Sequence, residues 1–194
     1  MVKPEDVVSN VEMIGLDKSI AASKYPFALD VSKCNSEITK TVTRLATAPK
    51  GSGEDTFLHG IVVQFDLTFP IKVWVQAERY HFLEFVSSQS TMHCGTKFKI
   101  REQCTEYVCP DIFPIIERLV DEYNENPSWE RELTLLDSLP VGFLLTARMT
   151  TNYQQFKTIY AQRKMHKHPY WRAFCAWLET LPHSEFITGK LDES

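Results

Sequence analysis

Apolar and polar positions alternate between residues 60 and 70. Ile61, Val63, Phe65, Leu67 and Phe69 share one face, and Gln64, Asp66 and Thr68 share the other. A period of two marks a half-buried strand. Pro70 suits the first turn of a following helix, in which Gln76 and Arg79 share one face and Val73, Ala77 and Tyr80 line another. Residues 82–86 read as a short extended piece, and the apolar, β-branched stretch 141–151 predicts a second strand. Elsewhere the spacing is helical. A short helix fits 18–25. Another fits 36–48, with Ser36 as N-cap and Ile38, Val42 and Leu45 as its stripe; Pro49 ends it and the GSGED turn at 51–55 follows.

Further on, Asp111 can cap a helix to about 123 and Ser128 another to about 139. Thr150 or Thr151 can cap a third to about 167. His168-Pro169 then restarts the chain into a last helix ending at Leu181-Pro182, with Trp171, Phe174, Cys175 and Leu178 as its core stripe. Residues 97–109 fit neither period and read as an insertion loop. The organisation expected is a lead-in over 1–35, one domain over 36–183 and a loose tail over 184–194.

Composition narrows the function classes. With 194 residues, 43% hydrophobic and 12% aromatic, the chain can bury a core as one domain. A net charge of −4 gives no global pull towards nucleic acid. Only the segment 163–172 (RKMHKHPYWR) mixes cations with aromatics as a nucleic-acid module would. No apolar run approaches the ~18–20 residues of a membrane span. The first residues lack the pattern of a secretion signal. The five cysteines are an odd number without disulfide spacing, so a cytoplasmic protein is expected.

Chemistry is harder to place. His166 and His168 straddle a helix end without an acidic or cysteine partner at metal-site spacing, so no metal is expected. His93-Cys94 is adjacent in sequence only, which does not make a nucleophile pair. No G-x-S-x-G elbow, Walker loop or G-x-G-x-x-G is present. What stands out is a run of donors, Gln76, Arg79, His81, Ser87, Ser88 and Ser90, with Asn152 and Arg163 as a second cluster on a later helix. The bland alternative pairs Arg79 with Glu78 or Glu84 and lets the serines end a strand.

In order and spacing these residues resemble the flavin-dependent thymidylate synthase family. A strand runs to Pro70, Gln76 stands where the family has a glutamine, and Arg79-Tyr80-His81 takes the place of its Arg-His-Arg motif. Ser90 matches a motif serine once one residue is inserted before it. Leu139-Pro140, Asn152 and Arg163 follow the family order, and His59 sits after a small-residue turn, ahead of the strand. The resemblance covers roughly residues 40–182.

It implies an α/β (α+β) fold with a small mixed sheet and long helices, assembled as a homotetramer. FAD and a pyrimidine nucleotide, dUMP, would bind at subunit interfaces. Methylenetetrahydrofolate would give a methylene group, reduced by NADPH through the flavin. Carried over, Arg79, His81, Asn152 and His59 would meet the flavin, and Gln76, Ser90 and Arg163 the nucleotide; no catalytic residue is assigned. The chain also departs from the motif. His81 replaces its second arginine, serines or Val86-Ser87 its Asn-Glu, and Met92-His93 its Arg-Tyr. The arginine before Leu-Pro is missing and Thr158 takes a polar position of the last family helix. Two readings follow: a diverged enzyme of methyl or hydroxymethyl transfer, and a non-catalytic relative keeping the scaffold for ligand or protein binding.

Overall fold

Strands Val8–Ile14 (β1), Val62–Pro70 (β2), Glu84–Ser88 (β3) and Leu144–Asn152 (β4) form one sheet in the order β1-β2-β4-β3. With the helices named below they make an α+β fold, in a computed structural model that describes residues 1–49 and 51–190. The predicted strand at 60–70 is β2, with Val63, Phe65, Leu67 and Phe69 all buried. The stretch at 141–151 becomes β4, three residues later at its start.

The chain divides into two compact units. Unit 1 takes residues 1–67, 80–86 and 148–194. It holds helices Leu16–Ala22 (α1) and Lys40–Ala46 (α2) early in the chain. Its remaining helices follow β4. They are Tyr153–Arg163 (α7), Pro169–Leu178 (α8) and Glu185–Thr188 (α9), numbered in chain order with those of unit 2. The centre of its core is aromatic. Phe65 of β2 lies 5.8 Å from Phe156, 6.0 Å from Phe174 and 5.0 Å from Trp177, ring centre to ring centre. Tilted and edge-on pairs at such distances add to plain area burial.

The first 35 residues, expected as a lead-in, supply β1. It pairs antiparallel with β2 through Val8 against Leu67 and Ile14 against Val62, with an irregularity between Ser9 and Glu12. Asn10 sits there at a φ of 50°, a conformation that asparagine tolerates better than most residues. Arg148 of β4 holds this bulge, donating to the Asn10 carbonyl at 2.6 Å and to Asp66 Oδ1 at 3.3 Å. Most of β1 is exposed, so it carries no apolar alternation to read.

The expected loose tail is packed over its described part. Phe186 and Ile187 of α9 are buried, and Phe186 meets Phe57 edge-on at 6.0 Å. Residues 191–194 lie outside the described residues. Helix caps also moved. Thr39, not Ser36, caps α2, its Oγ1 accepting from the Val42 amide. Asn152, not Thr150 or Thr151, caps α7, because Thr151 stays in β4 and donates its hydroxyl to the Phe82 carbonyl at 2.6 Å. The helix expected to about 167 ends at Arg163.

Unit 2 takes residues 68–79 and 87–147. It contains Ile71–Ala77 (α3), Thr91–Cys94 (α4), Phe113–Glu125 (α5) and Trp129–Asp137 (α6). Its core is Ile100, Ile116, Leu135 and Phe143, with Phe98, Leu119 and Leu139 packed on them. Pro70 caps α3 and brings no N–H to satisfy. The next amides, of Ile71 and Lys72, donate to the carbonyls of Phe143 and Val141 at 3.0 and 2.9 Å. Ser128 caps α6 as its sequence suggests, accepting from the Arg131 amide. Asp111 does not cap α5; Ile112 holds that position. The loop at 97–109 is tied down: Cys104 bridges to Phe143, and Gln103 exchanges two 2.7 Å hydrogen bonds with Leu144.

Candidate functional site

The residues singled out in the sequence fall into both units. His59, His81, Asn152 and Arg163 belong to unit 1, and Gln76, Arg79 and Ser90 to unit 2.

In unit 1 the end of β4 and the start of α7 organise one cluster. Asn152 Oδ1 accepts from the Gln155 amide at 2.9 Å, which satisfies one of the orphan donors of the first helical turn. One residue earlier, Thr151 holds the Phe82 carbonyl and so ties the turn bearing His81 beside Asn152. His59, exposed at the end of a 3-10 turn over Thr56–Gly60, meets Gln154 Oε1 through Nε2, and the Phe82 ring lies tilted at 6.3 Å. These ties bring the backbone next to His81 and Asn152 close to His59 within this unit.

Arg163 sits at the other end of α7, in an aromatic setting. Its guanidinium carbon lies 4.9 Å from the Trp171 ring centre and 5.5 Å from that of Tyr80. Its Nε donates to the Tyr80 hydroxyl at 2.7 Å, which in turn donates to Gln162 Oε1 at 2.9 Å. Contacts of a cation with two ring faces, one desolvated by the buried Trp171, hold the side chain firmly. The basic segment after it is also used internally. Arg172 donates to the carbonyls of His166 and Lys167 at 2.8 and 2.7 Å. His166 and His168 are held below the ordinary histidine range, first by burial, then by Arg163 and Arg172 for His166 and by His166 and Arg172 for His168. These groups close a helix-to-helix turn.

In unit 2, Gln76 is half-buried on α3. The helix stops at Ala77 with Glu78 as C-cap, so Arg79 lies beyond its end and does not share a helical face with Gln76. Arg79 is exposed. The alternative pairing with Glu78 or Glu84 does not form, and among the described residues Arg79 has no carboxylate partner. Ser90 is the N-cap residue of α4, without a side-chain cap bond. Its neighbour Gln89 pairs with Thr146 twice, through its backbone amide at 2.9 Å and its side-chain oxygen at 2.8 Å.

A buried carboxylate that sequence reasoning did not single out lies behind His59. Asp55, in the GSGED turn, is buried; it accepts from Gln154 Nε2 at 3.0 Å and from Lys157 Nζ at 2.8 Å. The one signal was the spacing of Gln154 and Lys157, three apart on α7. Two of the thiols have little footing for chemistry. Burial pushes the Cys104 thiol up to about 11, and burial with Glu179 nearby pushes Cys175 up to about 12. Thiolate, the reactive form, is scarce at such values. Among the described residues no three His, Cys, Asp or Glu side chains are grouped to hold a metal. No described helix is long and apolar enough to cross a membrane.

Comparison with solved structures gives the fold its relatives. The crystal structure of the flavin-dependent thymidylate synthase ThyX from Helicobacter pylori, complexed with FAD and dUMP, superposes with a TM-score of 0.70 over 93% of this chain and 97% of that one. A second structure of Helicobacter pylori ThyX with FAD and dUMP gives 0.70 over 94% and 95%. The fold is that of a flavin-dependent thymidylate synthase. Identity is 10% in both comparisons. No protein-family model and no curated protein matches the chain.

The donor set can be weighed against a flavin dinucleotide, which brings an anionic diphosphate and a planar ring system. Arg79 offers an exposed guanidinium, suited to phosphate oxygens. His59 and His81 are exposed, and Phe82 is 59% exposed, an apolar side chain that a planar ring can cover. These residue types fit the group. Arg163 fits a nucleotide phosphate less directly, since its Nε and ring contacts are already engaged.

Proposed function

We propose that this chain is a flavin-dependent thymidylate synthase-like protein. It binds FAD and a pyrimidine nucleotide, dUMP or a relative, for folate-dependent methyl or hydroxymethyl transfer. In this reading it is cytoplasmic and homotetrameric, with methylenetetrahydrofolate and NADPH as co-substrates. The observation that carries it is a fold likeness spanning 93% of the chain to a protein solved with FAD and dUMP. Bound FAD would supply the redox centre that turns a methylene into a methyl group.

The chain's own residues have narrower tasks. Arg79 holds the flavin's diphosphate, and His59, His81 and Asn152 orient the cofactor through hydrogen bonds. Gln76 and Ser90 present amide and hydroxyl groups to the nucleotide. Arg163 adds positive charge next to it while anchored on Tyr80.

A second reading, a non-catalytic relative that keeps the scaffold, draws on a specific observation. Asn152 and Arg163 each hold up local structure, through the Gln155 amide and the Tyr80 hydroxyl, so their presence is explained without a ligand. The deciding measurement is the visible absorbance of the purified protein after FAD is added and the excess removed. A stoichiometric flavin band supports the first reading, and dUMP analogues are then titrated. A colourless protein removes the flavin chemistry and leaves the scaffold.

A further inference from the structure

Four side chains of unit 1 form a line whose polarity is set from one end. Lys157 Nζ, which can only donate, bonds to Asp55 Oδ2 at 2.8 Å and to the carbonyls of Ala46 and Ala48 at 2.7 and 2.6 Å. The other oxygen of Asp55 accepts from Gln154 Nε2 at 3.0 Å. A carboxylate facing an ammonium only accepts, so Gln154 must turn its NH2 towards Asp55. That turns its Oε1 onto Nε2 of His59. An amide oxygen only accepts as well, so His59 Nε2 carries a proton. In the neutral ring Nδ1 is then bare. Among the described residues nothing bonds to it, while Phe82 flanks the imidazole.

We propose that Asp55 and Gln154 are positioning residues that lock His59 with Nε2 protonated, presenting Nδ1 to a ligand as a hydrogen-bond acceptor. The matching ligand group is an N–H or O–H donor, not a phosphate oxygen. The inference rests on the proposed function only in taking a flavin or nucleotide as that ligand. Its polarity stands on the four side chains.

The test is long-range proton–nitrogen NMR of the full chain labelled with 15N-histidine, at about pH 8, where an ordinary imidazole is neutral. His59→Gln assigns the signal. The wild type should show a pyrrole-type Nε2 and a pyridine-type Nδ1 at His59; the reverse pattern overturns the proposal. A free imidazole already leans towards the first pattern, so the decisive variant is Asp55→Asn. Lys157 still demands an oxygen, which turns the new amide's NH2 towards Gln154. Gln154 must then flip, offer its own NH2 to His59 and make Nε2 the acceptor. The His59 proton should move to Nδ1, two side chains from the substitution.

A folded Asp55→Asn protein without that inversion overturns the proposal. Should that variant not fold, Gln154→Ala decides: it should release His59 to a free-imidazole mixture, and signals identical to wild type overturn the lock. None of these spectra needs FAD. Inversion in a protein that ignores FAD keeps the relay and removes the proposed function, and a flavin-binding protein without inversion does the opposite.

Discussion

The guanidinium of Arg163 packs on Trp171 and Tyr80 and bonds to the Tyr80 hydroxyl, so truncating it removes a cation–π pair and a hydrogen bond together. Arg163→Ala should destabilise the protein by about 1–3 kcal/mol, read as a lower urea midpoint. Arg163→Lys should recover only part of this, because an ammonium lacks the planar stacking fork. Unchanged stability with lost nucleotide binding would instead make Arg163 purely a ligand contact. Lys157 poses a sharper case. Its partner Asp55 has a side chain only 2% exposed, so Lys157→Met strands a buried carboxylate and two carbonyls. A loss of about 3–5 kcal/mol is expected, and adding Asp55→Asn to it should restore part of the melting temperature. The sequence displayed Arg163 as a candidate because arginine type and position were visible. It hid Asp55, since a carboxylate in a glycine-rich turn looks solvated until the fold closes over it.

Among the elements, those with a strong apolar period were legible. β2 emerged because Val63, Phe65, Leu67 and Phe69 alternate onto a buried face, and α8 because Trp171, Phe174, Cys175 and Leu178 line its buried side. β1 was not legible. It is held by ladder bonds to β2 and by Arg148, and its mostly exposed residues leave no pattern. Caps shifted by three residues at Ser36 and by one at Thr151, where hydroxyl or amide residues competed, and by one at Asp111, where none did. The turn between α7 and α8 yields a pH prediction. His166 and His168 lie below the ordinary value when folded, so the folded state binds fewer protons than the unfolded one. Their stabilising effect is complete above the unfolded value of about 6.5 and is lost as the pH falls through that value towards the folded ones. The melting temperature should drop between about pH 7 and pH 5, and the double variant His166→Gln, His168→Asn should flatten that drop. An equal slope in both proteins would place the acid sensitivity elsewhere.

At the scale of the whole molecule, a likeness of 0.70 in TM-score at 10% identity means that pattern and packing are shared while most side chains are not. Apolar periods tolerate substitution as long as volume and alternation are kept. Binding sites do not, because each phosphate or ring edge needs particular donors. The fold was therefore readable from spacing, whereas the proposed site rests on single residues such as Arg79. That residue gives the cleanest way to separate ligand binding from structural upkeep. It is exposed and pairs with no carboxylate among the described residues, so Arg79→Ala should leave the stability of the free protein within about 0.5 kcal/mol. A ligand that binds only the folded state stabilises it by about 2.7 kcal/mol at a hundredfold excess over Kd. FAD should thus raise the melting temperature of the wild type, with a smaller rise or none in Arg79→Ala. Equal shifts in both proteins would remove Arg79 from the flavin site. No shift in the wild type would leave Arg79 without a ligand to hold and favour the scaffold reading. A variant that melts earlier without any ligand would show that Arg79 supports the fold.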